Sequence, residues 1–224
     1  MRVATLVSAH RCLTRPDIEA AIALGADYVE IDVQRTADGS LVLHHDPVDV
    51  PGPELLRYDE ALGLIAGRAR VHLDLKFHGG EVEAVAIAVE RLGTDHLLVA
   101  TGYDDGVRSV RDWADAGGHH LLVGLSLGRG VPGFALWQLV KVRTSEIWPE
   151  LRYDDSRANV AVAHHWLARI RVARFARRHR LPLLVWTVDT PRSLAYWMRP
   201  GRAWMVTTNE PALALRLRAD RLPP

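Results

Sequence analysis

Eight short apolar, β-branched runs, at residues 3–9, 28–33, 71–76, 97–101, 120–126, 159–164, 183–188 and 203–207, recur along the 224 residues, with helical patterns between most of them. Runs of this length read as strands, and strands alternating with helices build a parallel sheet. The clearest helix is 81–92, where Val82, Val85, Ala86, Val89 and Leu92 lie on one face and Gly93 supplies the stop. Asp104 reads as the cap of a helix running to about residue 116, and Thr190-Pro191 opens another through a cap and an N1 proline. Eight strands in this length predict a (β/α)8 TIM barrel, one domain over residues 1–224, with its site at the C-terminal ends of the strands. A doubly wound open sheet would need a phosphate loop, and neither G-x-G-x-x-G nor a Walker sequence occurs.

Composition narrows the partners. A net charge of +1 implies no polyanion, so no nucleic acid is expected. Arg169, Arg171, Arg174, Arg177, Arg178 and Arg180 read as a solvated helix face, with peripheral contact to anionic lipid headgroups, or contact to nucleic acid, as the alternative. The single cysteine, Cys12, excludes an intrachain disulfide and a cysteine-rich metal site. No apolar stretch reaches the roughly 18 residues of a spanning helix, and the N-terminal run is too short for a signal peptide. A cytoplasmic protein without an integral membrane segment is the expectation. Residues 128–158, with several Gly and Pro, read as irregular, and nothing bears on oligomeric state.

The chemistry concentrates in "VEIDVQRTADGSLVLHHDP", residues 29–47. Strand alternation turns Glu30 and Asp32 to one side, with Ile31 and Val33 on the other. Two like charges sharing a site require a cation, a proton or a basic side chain; a hard metal ion is one answer and an Arg-paired strand end another. Segment 34–46 reads as a hairpin turning at Asp38-Gly39, which returns His45 to the neighbourhood of the acids. His10 and Arg11 end the first run, and "HLDLK" places Asp74 and Lys76 on one face of the third. Glu30, Asp32 and Asp74 together would offer three oxygen donors to Mg²⁺ or Ca²⁺, flanked by proton-exchanging histidines and anion-holding cations. That combination points to phosphate ester chemistry. His164 and His165 sit at a strand end, while His119 and His120 fall at a strand start and read as structural.

These residues carry a family resemblance. "HRC" at 10–12, "GADYVEIDVQRTADGSLVLHHD" at 25–46, "LDLK" at 73–76, "TGYD" at 101–104, "WTV" at 186–188 and "TTNEP" at 207–211 resemble, in order, the motifs of the glycerophosphodiester phosphodiesterases, within the phosphatidylinositol phospholipase C-like barrels. The resemblance implies metal ligands at Glu30, Asp32 and Asp74 and an acid/base pair at His10 and His45. It also implies phosphate contacts from Arg11 and Lys76, and a pocket wall at Trp186. His45 is the match rather than His44, since it precedes Asp46. The implied activity is metal-dependent hydrolysis of a small glycerophosphodiester to glycerol phosphate and an alcohol. A lysophospholipase D-type lipid phosphodiesterase and a non-catalytic phospho-ligand-binding barrel are the alternatives. Four departures stand against the family pattern: Cys12 replaces a glycine, which bears on backbone freedom at that turn; the usual "P-E-N-T" stretch is missing; Asp74 replaces a glutamate; and only residues 47–70 stand where the family carries a long insertion, which implies a more open pocket. Cys12, Asp74 and the lost insertion motivate the binding barrel, and the open pocket gives room for a lipid.

Overall fold

The structure, a computed structural model, describes residues 4–128 and 148–221. Eight parallel strands close into a barrel: β1 (Leu6–Ala9), β2 (Tyr28–Arg35), β4 (Arg70–Leu75), β5 (Leu97–Thr101), β6 (Leu122–Leu127), β7 (Val160–His164), β8 (Leu183–Trp186) and β9 (Met205–Thr208). Each pairs with the next, and β1 pairs with both β2 and β9, which shuts the cylinder. A ninth strand, β3 (Leu41–Leu43), folds back antiparallel on β2 with Val33 opposite Leu43 and Arg35 opposite Leu41. Its turn holds Gly39 at φ +85°, a conformation glycine adopts without steric cost. The expected barrel and hairpin are both present.

Period-two alternation divides the core in two. Odd positions such as Val29, Ile31, Val33, Val71, Leu73 and Leu75 face the helices and form the larger apolar layer. The barrel interior is filled near its base by Tyr28, Leu98, Val160, Leu184 and Met205. Higher up the same inward positions turn polar, with Ser8, Glu30, Asp32 and His72 all buried. A barrel centre is normally a packed apolar core. Here it is apolar only below.

The helices follow from local signals. Helix α1 (Arg15–Ala23) starts with a capping box, Thr14 accepting from the backbone of Asp17 while the Asp17 carboxylate accepts from the backbone of Thr14. Helix α2 (Tyr58–Ile65), which the sequence reading did not single out, occupies most of the short stretch between β3 and β4 and buries Tyr58, Leu62 and Ile65. Helix α3 spans Glu81–Leu92, the expected range, and Thr190 caps the helix Pro191–Trp197 by accepting from the Ser193 N–H.

Three expectations change. Helix α4 runs Asp104–Ala116 as read, but Asp104 lies inside it and its side chain does not cap; the carboxylate is held by Arg152, at 2.5 Å. Within the stretch read as irregular, Pro149–Ser156 is helical, started by its proline, and residues 129–147 lie outside the described residues. The arginine-rich stretch forms part of a helical run over residues 165–179 containing a π-helical turn, Ala168–Val172. It is not solvated throughout: Arg169 stacks over Tyr196 at 4.8 Å and Arg171 pairs with Glu150 at 2.9 Å.

Ile31 has no exposed surface and locks β2 to the helical layer. Ile31→Ala is expected to cost about 2–5 kcal/mol, read as a lower urea midpoint at unchanged slope. A loss below about 1 kcal/mol would mean that this layer collapses onto the gap, contrary to the rigid packing described.

Candidate active site

The C-terminal ends of the strands open into a cavity of about 430 Å³. Glu30 lines it from β2 and Asp74 from β4, with Asp32 of β2 directly opposite Asp74 in register. One carboxylate oxygen from each of the three lies within 4.8 Å of the others. Glu30 and Asp32 are buried, and Asp74 is partly so. Three carboxylates this close require positive charge, and the protein supplies part of it. The Lys76 ammonium bridges Asp74 at 2.6 Å and Asp32 at 2.9 Å. On the other Asp32 oxygen lie His45 Nδ1 at 2.7 Å and the Arg11 guanidinium at 3.7 Å. Glu30 accepts the backbone N–H of Arg11. An all-oxygen set of this density matches the preference of a hard divalent cation, which would share Asp32 with Lys76.

Burial, then the charges of Asp32 and Asp74, hold the Glu30 carboxyl well above the usual carboxylate range, against the opposing effects of Lys76 and the Arg11 N–H.

His45 is placed by the hairpin, through the bond from the His44 N–H to the Asp32 carbonyl and that from Gln34 Nε2 to the carbonyl of His45. Because a carboxylate only accepts, His45 Nδ1 carries the hydrogen, and Nε2 accepts from Arg11 at 2.6 Å. His44 is not among the residues lining the cavity; its Nδ1 bonds the Asp46 carbonyl at 2.8 Å. Alternation had separated these neighbours, and the fold does the same.

His10 follows β1, the neighbour of β2 in the barrel. Its Nδ1 meets Asn209 Oδ1 at 2.9 Å, and the Asn209 amide is turned that way because its Nδ2 donates to Asp189 Oδ2 at 2.7 Å. The chain Asp189–Asn209–His10 therefore fixes Nδ1 as donor and leaves Nε2 as the acceptor. Burial lowers the His10 pKa below its ordinary value, with the Asn209 bond and the charge of Asp32 pulling it back up.

Arg11 adopts a left-handed backbone, φ +54°. The unusual turn thus falls one residue before the position where the family resemblance expects glycine. Cys12 needs no special conformation; its thiol is buried in the core, and its pKa is pushed up to about 12 by that burial. Trp186 lines the cavity, as expected, beside His164 at a ring distance of 5.3 Å. His165 donates through Nδ1 to the Thr187 carbonyl, 2.9 Å away.

Several groups in or next to the cavity were not singled out from sequence. Asn209 lay within the quoted "TTNEP", and Asp189 follows "WTV" directly. His72 shares the face of Asp74 and Lys76 by the same alternation. It is buried, its pKa is pushed down to about 4 by that burial, and its Nδ1 lies 3.3 Å from Ser8 Oγ. Thr207 and Ser126 complete the lower wall. A larger groove, about 540 Å³, opens among Ala173, Ala176, Pro182 and Trp204, with no acidic or histidine side chain lining it.

Fold and site together define a TIM-barrel protein with an acidic, histidine-flanked cleft at the C-terminal rim. Residues 14–55 match the model of the glycerophosphoryl diester phosphodiesterase family. No curated protein matches it significantly in sequence. Among solved structures it is similar to a glycerophosphodiester phosphodiesterase from Parabacteroides distasonis, with 17% identity, TM-score 0.75 and 99% of each chain covered. A putative glycerophosphoryl diester phosphodiesterase from Silicibacter pomeroyi shares 18% identity at TM-score 0.74, covering 98% of this chain and 95% of that one. A phosphodiesterase from Oleispira antarctica, in complex with the product sn-glycerol-3-phosphate, shares 18% identity at TM-score 0.69, with 96% of each chain covered. No helix among the described residues is long and apolar enough to cross a membrane.

The raised Glu30 has a consequence for stability. The folded protein binds more protons than the unfolded one between the ordinary value of 4.5 and the raised value. Stability from this group is therefore full below the lower value and declines as pH rises through the upper one. In chelator, the melting temperature of the wild type is expected to fall over that window relative to Glu30→Gln, which keeps an acceptor for Arg11 without the charge. Parallel pH profiles for the two proteins would show that Glu30 is ionised without penalty.

Proposed function

We propose that the protein is a divalent-metal-dependent glycerophosphodiester phosphodiesterase that releases glycerol 3-phosphate and an alcohol. The observation that carries this reading is the trio Glu30, Asp32 and Asp74, with ligand oxygens within 4.8 Å of one another, of which Glu30 and Asp74 line one cavity with His10 and His45. The match of residues 14–55 to the family model, and the product named for the Oleispira antarctica phosphodiesterase, support it.

Glu30, Asp32 and Asp74 would hold Mg²⁺ or Ca²⁺, and the ion would supply positive charge to the phosphoryl oxygens and acidify the glycerol 2-hydroxyl. Arg11 and Lys76 flank the same space and hold the phosphate monoanion. Trp186 forms the wall against which the substrate lies.

The 2-hydroxyl oxygen attacks phosphorus, the bond from phosphorus to the leaving alcohol breaks, and a cyclic phosphate forms. One histidine accepts the hydroxyl proton while the other donates one to the leaving oxygen, and the two exchange tasks when water opens the ring. The tautomers fit this work, since each ring uses Nδ1 for its protein partner and retains Nε2 for proton transfer. Arg11 covers His45 Nε2 in the free protein. A phosphate diester that draws the guanidinium to itself uncovers that nitrogen, so binding and activation coincide. The protein is read as acting on small soluble diesters in the cytoplasm.

Exhaustive chelation should abolish turnover of glycerophosphocholine, and Mg²⁺ or Ca²⁺ should restore it; full activity with metal absent by elemental analysis would sink the proposal. His10→Ala and His45→Ala should each lower kcat by about 10² or more, with His44→Ala far milder. Asn209→Ala, which frees the His10 ring, should lower kcat and shift the pH–rate profile while leaving metal affinity in calorimetry unchanged. Asp74→Ala should weaken metal affinity substantially, whereas Asp74→Glu should be tolerated. Unchanged affinity and turnover in Asp74→Ala would remove Asp74 from the ligand set and favour a non-catalytic binding barrel.

A further inference from the structure

The inward face of β2 carries Glu30, Asp32 and then Gln34, which the proposed chemistry does not use. The Lys76 N–H bonds the Val33 carbonyl and so continues the pairing of β2 with β4, which sets Gln34 and Lys76 one inward layer nearer the mouth than Asp32 and Asp74. Gln34 is 4% exposed and lines the cavity with His45, Pro47 and Lys76. Its amide has one orientation. Because a carbonyl only accepts, Nε2 faces the His45 carbonyl at 3.2 Å, and Oε1 is the end left over. Among the described residues no donor meets Oε1, yet Oε1 is not one of the enclosed unpartnered atoms. It therefore keeps accessible surface, and the space Gln34 borders is the cavity. Turning the amide over would forfeit the bond to His45, so the acceptor is held in place.

The base of the barrel is closed by Tyr28, Leu98, Val160, Leu184 and Met205, so a leaving alcohol of any size departs toward the mouth, past the layer that holds Gln34. Arg11 and Lys76, which flank that path, only donate hydrogen bonds. Gln34 Oε1 supplies an uncharged acceptor beside them. We propose that Gln34 is a specificity-determining residue whose Oε1 accepts a hydrogen bond from the leaving alcohol, so that the site favours alcohols with an N–H or O–H donor on the carbon next to the ester-bearing one. The inference rests on the reading that the diester is cleaved in this cavity. Ethanolamine has such a donor, whereas choline, of the same charge, carries methyl groups there.

The test measures kcat/KM with Mg²⁺ for glycerophosphoethanolamine and glycerophosphocholine. The wild type should favour the ethanolamine diester by about tenfold, the worth of one charge-assisted hydrogen bond. Gln34→Met keeps the length of the side chain and removes the amide. Loss of the bond to His45 should lower kcat for both diesters together, while loss of Oε1 should bring their ratio to within about twofold of one. Gln34→Glu, which retains an acceptor, should hold the ratio at the wild-type value or above. A ratio near one in the wild type, the same ratio in Gln34→Met, or a lower one in Gln34→Glu would overturn the contact. If the wild type turned over neither diester, the proposed activity would fall, and calorimetry of the two intact diesters would decide the contact separately: tighter binding of the ethanolamine compound that is lost in Gln34→Met upholds it, and equal affinities overturn it.

Discussion

Asp32 has no exposed surface, and a lone carboxylate in that position would cost more than a domain's whole net stability. The architecture of the rim follows from how this charge is met. Lys76 reaches it from beyond β4, His45 from the return of the hairpin and Arg11 from the end of β1. Three separate stretches of chain are thereby drawn to one atom pair. The same three groups are those a phosphate diester would meet. Under the proposed function, charge compensation in the free protein and substrate recognition draw on one set of side chains, and removing any partner of Asp32 would disturb both.

The turn after β1 shows how the backbone serves this arrangement. Left-handed geometry at a non-glycine residue costs roughly 1–2 kcal/mol. At Arg11 it is offset by bonds from the Arg11 N–H to Glu30, from the Cys12 N–H to the Glu30 carbonyl and from the His10 N–H to the Thr208 carbonyl. That conformation sends the Arg11 side chain toward His45 while Cys12 drops into the core. A cysteine in the glycine position is therefore compatible with the site, because the strained residue is its neighbour.

What was legible in the sequence was local or periodic. The strands, the limits of α3, the hairpin and the facing of His45 rather than His44 into the cavity all follow from alternation, turn residues and helical spacing within a few dozen positions. Asp104 was misread because its partner, Arg152, is 48 positions away, and an acid at a helix start looks like a cap until that partner is known. The Asp189–Asn209–His10 chain was invisible for the same reason: it exists only because β9 closes against β1, joining residues 199 apart. His72 was different. Its facing was available by counting two back from Asp74, but a histidine inside a strand reads as core until the layer beneath it is seen to be apolar and the layer around it polar.

That layering explains how the fold sustains a polar interior. In a closed parallel barrel the two faces of each strand carry separate tasks. Ile31, Leu73, Val99 and Leu125 pack against the helices, and this outer layer contains most of the large buried apolar side chains. The inner face is stabilised mainly at its base, where Leu98, Val160 and Met205 meet. With the outer layer intact, inward positions above the base can carry Glu30, Asp32, His72 and Thr207 without opening the barrel. The destabilising groups are confined to the rim and upper interior, where a ligand can satisfy them, and locally costly chemistry is confined there with them.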